Sequence, residues 1–288
     1  MAHKLIKPVM SAEEAVQNVK PGSSLMVGGF NYAGVPYTLI DALVVQGTKD
    51  LHLISNDTLY ANDQHPEGIG HGKLVVNGQC RKVTASHVGL NRETQRLFNE
   101  GKMELELVPQ GSFVERIRCG GFGLGGVLTP TGVGTIHEEG KQVIEVDGKK
   151  YILEIPLKAD VALIRGHKAD RWGNLTYFGT GRNFNPAMAT AADLVIAEVD
   201  TIVAEGEIDA NDVVTPGSSA ISSVRVSSAA SIPRSSSSGG RSEMAISRML
   251  CSISSSRLRV FVMIFLEAAL RTRREPRSSR ASVSNCPR

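Results

Sequence analysis

The sequence lacks most features that mark membrane, extracellular or metal-binding proteins. Its four cysteines are widely spaced and form no Cys-x-x-Cys pair, which excludes a metal knuckle or disulfide framework and is typical of a reducing compartment. The longest apolar run, residues 260–266, is too short to cross a bilayer. Residues 1–7 lack the apolar segment of a secretory signal. We therefore expect a soluble, cytoplasmic protein with no membrane partner.

Two further absences narrow the possible chemistry. His65 and His71 have no third metal-binding side chain near them in the sequence, so we predict a surface loop there and no metal site. No Gly-Lys-Ser or Gly-Lys-Thr follows any glycine loop, which excludes a Walker-type phosphate loop.

The basic charge of the chain is confined to its C-terminal part. Residues 1–217 hold about 20 Lys and Arg against about 26 Asp and Glu, whereas residues 218–288 hold about 12 against about 3. The formal net charge of +3 therefore hides a mildly acidic body. Because this body has no basic footprint, we expect no nucleic-acid partner.

The composition changes abruptly after Pro216-Gly217. Serine makes up about 21 of the roughly 71 residues that follow, and arginine replaces lysine completely. We therefore predict two parts: a folded body at residues 1–217, and a Ser/Arg-rich tail at residues 218–288 that is disordered or translated out of frame. A nucleic-acid-binding arm is the alternative interpretation of this tail.

The body alternates short apolar runs with segments of helical spacing. Ser11 and Asn91 are typical helix caps, and Gly47 is typical of a helix end. This alternation predicts an α/β fold with an open, mostly parallel sheet and flanking helices. Residues 143–153, with an Asp-Gly turn in their centre, predict an inserted β-hairpin.

A glycine loop between a strand and a helix is the main motif of the N-terminal part. The apolar run 25–27 leads into Gly28 and Gly29, and Pro36 precedes a helical apolar face. This geometry presents backbone N–H groups and a positive helix end to an anionic or thioester-bearing ligand. The same pattern also occurs in tight turns that only pack a helix onto a sheet.

The loop differs from a dinucleotide-binding loop. Its spacing, Gly28-Gly29 and then Gly34, is not Gly-x-Gly-x-x-Gly, and Ser55-Asn56 stand where an acidic ribose partner belongs. These two differences argue against a nicotinamide-dependent oxidoreductase.

Polar residues follow two later strands of the predicted sheet. Asn56 and Asp57 end one strand, and Gln110 follows another just before a helix. Ligands of open α/β sheets collect at these carboxyl ends. Local roles are the alternative: an Asx-type turn at Asn56-Asp57, and a Gln110 that only bonds nearby backbone. A dense glycine loop is predicted at residues 120–126.

The stretch Gly22-x-x-Leu25-Met26-Val27-Gly28-Gly29-Phe30-x-x-x-Gly34-x-Pro36 resembles the signature of the family I CoA-transferases, in their α-type half. Pro21 departs from that signature, which has Asp or Asn there. The resemblance to the α-type half continues in residues 55–58, 108–111, 115–121, 129–135, 173–175, 182–185 and 214–217. The resemblance covers about residues 4–217. Within the family it is closest to acetate/butyrate–acetoacetate CoA-transferase, with the α-type half of 3-oxoacid CoA-transferase next.

The resemblance implies a CoA-transferase-like fold and a transfer of CoA from an acyl-CoA to a carboxylate such as acetoacetate or acetate. In the family, a glutamate carboxylate attacks the thioester in a ping-pong reaction through an acyl-glutamyl anhydride and a glutamyl-CoA thioester. The CoA thioester is thus a substrate, and no permanently bound cofactor is expected. The reaction belongs to short-chain fatty acid metabolism.

The resemblance also implies roles for particular residues. The family's nucleophile lies in a Glu-Asn-Gly context of the β-type half, and this sequence has no Glu-Asn-Gly. The expected partner is therefore a CoA-transferase β subunit, in a heterodimer or heterotetramer. Gln110 matches the glutamine whose amide stabilises the oxyanion, and Asn56 lies in a stretch near the site. The loop assigned to CoA corresponds to Gly28, Gly29, Phe30, Asn31, Tyr32, Ala33 and Gly34. A non-catalytic ligand sensor of the same fold is the alternative.

Overall fold

A computed structural model describes residues 6–218 and the backbone of residues 221–226. Within these residues, no helix has the length and apolar character that crossing a bilayer requires. The described chain contains one large sheet with helices packed on both faces, and one small sheet beside it.

The large sheet has seven strands, all parallel, in the order β10-β9-β8-β1-β2-β3-β4. The strands are β1 Ser24–Val27, β2 Leu51–Ser55, β3 Cys80–Ala85, β4 Glu104–Leu107, β8 Ala159–Ala169, β9 Ala192–Ile202 and β10 Ile221–Val226. This arrangement confirms the predicted open, mostly parallel α/β sheet.

Among the described residues, six α-helices cover the two faces of the sheet. They are α1 Ala12–Val16, α2 Tyr37–Gln46, α3 Gly72–Val76, α4 Arg92–Asn99, α5 Gln110–Phe122 and α6 Asn185–Thr190. Because side chains alternate along a strand, Leu25 and Val27 of β1 pack with α1 and α2, whereas Met26 packs with α5 and α6. Two buried cores therefore sandwich the sheet.

Local helix signals in the sequence are confirmed by the structure. Ser11 and Glu14 form a reciprocal capping box at the start of α1. The Asn91 side chain accepts a hydrogen bond from Thr94 N (2.9 Å) at the start of α4. Gly47 ends α2 in the left-handed conformation, with φ of 73°. Each of these signals depends on neighbouring residues only.

The predicted hairpin is also confirmed. Strands β6 Val143–Val146 and β7 Lys149–Glu154 are antiparallel and join through Asp147 and Gly148, both with positive φ. A third strand, β5 Val127–Thr129, pairs with the other edge of β7. The sequence did not predict this strand, which lies just after the glycine-rich segment.

The dense glycine loop predicted at residues 120–126 is partly wrong. Gly120 and Gly121 belong to the last turns of α5. A Cβ on Gly120 would overlap the carbonyl oxygen of Leu157, and one on Gly121 would overlap the Thr190 hydroxyl. These glycines therefore let α5 pack closely against its neighbours, and the chain leaves the helix only at Gly123, with φ of 70°.

Strand β10 lies beyond Gly217, in the segment that the sequence separates from the body. It pairs in parallel with β9 from Ile221 to Val226. Regular backbone structure thus continues past the change in composition. The rest of the segment, apart from Ser218, lies outside the described residues.

Candidate active site

The glycine loop that follows β1 is a compact turn. Phe30 and Ala33 exchange both of their backbone hydrogen bonds, at 3.0 and 3.1 Å. Gly29 has φ of 125° and Asn31 has φ of 47°, values that a residue with a branched side chain would adopt only under strain. The turn leaves the rings of Phe30 and Tyr32 exposed, and Tyr32 stacks on Tyr60 with 5.2 Å between the ring centroids.

The back of this loop packs against the asparagine at the start of α6. Asn185 Oδ1 accepts a hydrogen bond from Arg165 N (2.9 Å), and its Nδ2 donates to the carbonyl oxygen of Gly34 (3.0 Å). A Cβ on Gly28 would overlap Asn185 Oδ1, and one on Gly34 would overlap the backbone of Gly181. The glycines are therefore needed for close packing, which fixes the path of the loop.

The N–H groups at the start of α2 are not free for a ligand, contrary to the expectation from the strand–loop–helix pattern. Glu198, fully buried on β9, accepts hydrogen bonds from Thr38 N (2.9 Å) and Leu39 N (3.1 Å). Arg165 Nη1 donates to the same carboxylate at 3.1 Å. An internal carboxylate thus occupies the positive end of the helix dipole. A ligand at this loop must use other groups.

Gln110 is the first residue of α5, two residues after the buried Val108. Its Nε2 donates a hydrogen bond to Asn56 Oδ1 at 2.7 Å. An amide nitrogen carries two hydrogens, and the second has no acceptor in the part of the chain that the structure describes. The first turn of α5 also has no side-chain cap, because Pro109 stands at the N-cap position.

Gln110 lines an open cleft of about 270 Å³. The other residues of its wall are Phe30, Gly111, Val114, Asn183 and Phe184. None of these side chains is charged. Hence the structure brings Gln110 and one residue of the glycine loop, Phe30, to the same cleft, while Tyr32 stacks elsewhere on Tyr60.

Asn56 contacts Gln110 but does not line this cleft. Its side chain is buried, and Oδ1 accepts hydrogen bonds from both Gln110 Nε2 and Ser86 Oγ (3.0 Å). Its Nδ2 donates to Asp57 Oδ2 at 2.8 Å. The Asx-type turn expected here is present at Asp57, whose Oδ1 accepts a hydrogen bond from Leu59 N (2.9 Å).

His71 is not in a surface loop, so that prediction is wrong. Its ring is 2% exposed, and Nε2 lies 2.7 Å from the carbonyl oxygen of Asp57. Since a carbonyl only accepts, Nε2 carries the hydrogen of this bond, and burial lowers the pKa of His71. His71 and Asp57 are 14 residues apart in the sequence and meet only in the folded chain. The spacing between His65 and His71 could therefore not reveal this contact.

A second cavity, of about 240 Å³, also borders the glycine loop. Arg165, His167 and Asp200 line it together with Ala33 and Gly34. Asp200 accepts hydrogen bonds from Arg165 Nη2 (2.6 Å) and His167 Nδ1 (2.9 Å). The arginine charge is thus neutralised internally, and Gln110 belongs to the first cleft only.

The sequence did not predict that Asn183, Phe184 and Val114 line the cleft. Asn183 and Phe184 lie in the stretch 182–185 that resembles the CoA-transferases, and this resemblance was the only signal for them. Val114 follows Gln110 by one helical turn and therefore shares its face of α5.

Comparison with known proteins agrees with the fold. The Coenzyme A transferase family matches residues 9–222. The chain is 51% identical over 209 residues to the alpha subunit of the acetate CoA-transferase of Escherichia coli K12, covering 73% of this chain and 92% of the relative. It is 50% identical over 199 residues to the acetoacetyl-CoA:acetate/butyrate CoA transferase alpha subunit of Clostridium acetobutylicum, covering 69% and 88%.

Solved structures share the fold at lower identity. An acyl-CoA transferase from E. coli O157:H7, in a thioester complex with CoA, has a TM-score of 0.68 at 21% identity. The match covers 78% of this chain and 48% of that one, so our chain spans about half of it. Glutaconate CoA-transferase from Acidaminococcus fermentans has a TM-score of 0.65 at 19% identity, covering 76% of this chain and 75% of that one. The chain belongs to the Coenzyme A transferase family and is the α subunit of a family I CoA-transferase.

Proposed function

We propose that this chain is one half of a short-chain acyl-CoA:carboxylate CoA-transferase, the half that binds the CoA thioester and stabilises the oxyanion. The amide of Gln110 is the observation that carries the proposal. One N–H of this amide is fixed by Asn56, and the side chain lies at an open cleft. A donor that is oriented before the reaction stabilises a developing oxyanion without the cost of reorganisation.

The nucleophile of the proposed reaction is a glutamate of the β subunit, since this chain has no Glu-Asn-Gly. Its carboxylate oxygen attacks the thioester carbon, and the C–S bond breaks. CoA departs as a thiolate, and the acyl group stays on the glutamate as an acyl-glutamyl anhydride. The thiolate then attacks the glutamyl carbonyl, which releases the acyl group as a carboxylate and forms a glutamyl-CoA thioester. A second carboxylate reverses these steps. Every attack forms an oxyanion, and each donor is worth on the order of 10²–10³ in rate.

The proposed substrates are short monocarboxylates such as acetate, butyrate and acetoacetate, with their CoA thioesters. The cleft beside Gln110 supports this choice, because Phe30, Val114 and Phe184 give it an apolar wall without a charged side chain. A dicarboxylic acyl group would need a partner for its second carboxylate. We further propose that this reaction takes place in the cytoplasm and serves short-chain fatty acid metabolism.

The proposed partner is a β subunit, in a heterodimer or heterotetramer. The names of the relatives support it, because both relatives are alpha subunits. The chain by itself should therefore bind a CoA thioester but transfer nothing.

Reconstitution tests the proposal directly. The full chain is co-expressed with a β-type CoA-transferase polypeptide, and transfer from acetyl-CoA to acetoacetate is followed. Each polypeptide by itself is the control. Acetyl-CoA should also make the complex sensitive to borohydride, which reduces a glutamyl thioester, and the mass change should lie on the β subunit. An intact complex without transfer and without an adduct would contradict the proposal. CoA binding without turnover would then favour the ligand sensor.

A further inference from the structure

The buried carboxylate of Asp57 links the glycine loop to Asn56, the residue that holds Gln110. It is 3% exposed. Its Oδ2 accepts hydrogen bonds from the backbone N–H of Asn31 (3.0 Å), in the glycine loop, and from Asn56 Nδ2 (2.8 Å). Its Oδ1 accepts from Leu59 N at 2.9 Å. Thus a single oxygen atom contacts both the loop and the residue that holds Gln110.

We propose that Asp57 is a positioning residue of the transfer reaction, which orients the Gln110 amide through Asn56 and holds the glycine loop through Asn31. The inference rests on the proposed function. It deepens that function, because it assigns Asp57 a part in orienting Gln110, whereas the sequence predicts for Asp57 only a place at the end of a strand or in an Asx-type turn.

The Asn56 side chain can present either its oxygen or its NH₂ group to Gln110. This choice decides whether Gln110 meets Asn56 with its NH₂ group or with its carbonyl oxygen. An ionised carboxylate only accepts hydrogen bonds, so Asp57 selects the Nδ2 end of Asn56 and turns Oδ1 towards Gln110 and Ser86. Gln110 can then donate through one hydrogen of Nε2 and direct the other into the cleft. A flipped Asn56 would present its own NH₂ group, and Gln110 would have to turn its carbonyl oxygen inward.

Loss of this carboxylate should therefore misplace the oxyanion donor without removing it. In Asp57→Asn, only one of the two carboxylate oxygens remains: an oxygen at the Oδ1 position keeps Leu59 N but loses both Asn31 N and Asn56 Nδ2. The side chain therefore no longer selects one orientation of Asn56. We expect kcat to fall at least about tenfold, which is part of the 10²–10³ that a donor is worth. We also expect the KM for acetyl-CoA to rise, because the loop loses its contact at Asn31.

A double-mutant cycle separates positioning from a general structural role. If Asp57 acts on kcat through Gln110, then Asp57→Asn should change kcat less than about twofold in a Gln110→Ala background, since the two changes are not additive. The variants are assayed in the complex with the β subunit. Equal losses of kcat in both backgrounds would overturn the proposal.

Asp170 provides a matched control. It is also 3% exposed, and its carboxylate accepts three hydrogen bonds, from Trp172 N (3.0 Å), Asn174 N (2.9 Å) and Asn174 Nδ2 (2.8 Å). It has no contact with Asn56 or Gln110 among the described residues. Asp170→Asn should lower Tm as Asp57→Asn does but leave kcat within about twofold. A kcat loss that follows Tm in both variants would contradict positioning.

Two further measurements keep the test decisive if Asp57→Asn folds poorly or the wild-type complex is inactive. Ser86→Ala removes a half-buried hydroxyl that hydrogen-bonds both Asn56 Oδ1 (3.0 Å) and the main-chain carbonyl oxygen of Asn56 (2.8 Å). Its smaller kcat loss should also vanish with Gln110→Ala. In ¹⁵N spectra of the full chain, the Gln110 side-chain signals, assigned by their loss in Gln110→Ala, should shift in Asp57→Asn and Ser86→Ala. They should not shift in Asp170→Asn. Unmoved Gln110 signals would refute the coupling, whereas an inactive wild-type complex refutes only the proposed function.

Discussion

The side-chain amide of Gln110 donates a hydrogen bond to Asn56 Oδ1 over 2.7 Å, which joins the first turn of α5 to the end of β2. The two residues are 54 positions apart in the sequence. Their contact gives Gln110 a fixed orientation at the edge of an uncharged cleft, and the proposed chemistry depends on this orientation.

Gly28→Ala should disturb the glycine loop. The new Cβ would overlap Asn185 Oδ1, the atom that accepts a hydrogen bond from Arg165 N. We expect a loss of about 1–3 kcal/mol in the free energy of unfolding, typical of overpacking. The KM for acetyl-CoA should rise more than kcat falls, because the change acts on the loop assigned to CoA. Thermal melts and steady-state kinetics of the complex measure both effects.

Gly125→Ala is the control for this variant, since a Cβ there has no heavy atom within 4 Å and its φ is not in the left-handed region. Unchanged Tm and KM in Gly28→Ala would show that Asn185 does not fix the loop.

Val114→Phe should shorten the acyl chains that the enzyme accepts. Val114 lines the cleft one helical turn after Gln110, so a larger side chain fills space beside the reacting carbon. Each methylene excluded from an apolar pocket is worth about 1–3 kcal/mol. We therefore expect kcat/KM for butyryl-CoA to fall at least about tenfold more than that for acetyl-CoA. The same change at Val45, 86% exposed on α2, is the control. Equal losses of kcat/KM for butyryl-CoA and acetyl-CoA would contradict this prediction, because the cleft would then hold a part of CoA other than the acyl chain.

Stability should decrease in acid partly because of His52. Burial lowers the pKa of this ring from 6.5 to about 4, and the ring contacts Thr84 Oγ1 at 2.8 Å. The unfolded chain takes up a proton near pH 6.5 and the folded chain only near pH 4. Between these values acid therefore favours unfolding, and Tm should fall as the pH is lowered.

His52→Gln should reduce this fall in Tm, as measured by melts between pH 4 and pH 7. The same exchange at exposed His87 is the control. If the pH dependence of His52→Gln equals that of the wild type, His52 is not its source.

We propose that the body of the protein extends to Val226 and does not need the rest of the Ser/Arg-rich segment. Strand β10 pairs with β9, so deletion of residues 218–288 should lower Tm by exposing the edge of β9. Deletion of residues 227–288 should preserve both Tm and complex formation with the β subunit, as measured by size-exclusion chromatography. Equal behaviour of the two truncations would show that β10 contributes nothing. Sequencing of the gene and an intact mass test whether the segment is translated out of frame.

Much of the fold could be predicted because its signals are local. Ser11, Asn91 and Gly47 act on their own helix, and Asp147-Gly148 acts on its own hairpin. The parallel sheet follows from the alternation of apolar runs with helical segments. The need for glycine at positions 120 and 121 comes instead from the close approach of Leu157 and Thr190 to α5. The glycine content by itself therefore predicted a loop where the structure has a closely packed helix.

The site was predicted less completely, because its contacts join distant segments. The sequence predicts Gln110 and Asn56 as separate site residues. It does not predict the hydrogen bond between them, because that bond depends on the strand register. Glu198, which occupies the positive end of α2, lies 160 residues after Thr38. For Asp57 the sequence predicts a strand end or an Asx-type turn, but not the hydrogen bond that its carboxylate accepts from Asn31 N.

The turnover of the Gln110→Ala variant in the complex with its β subunit tests the proposed oxyanion role of Gln110. Removal of one oxyanion donor should lower kcat on the order of 10²–10³, with little change in the KM for acetyl-CoA. Gln95→Ala, on α4, is the control, because in the described part of the chain that amide donates only to backbone oxygens such as Val88 O (3.2 Å). A Gln110→Ala complex that turns over at nearly the wild-type rate would contradict this role.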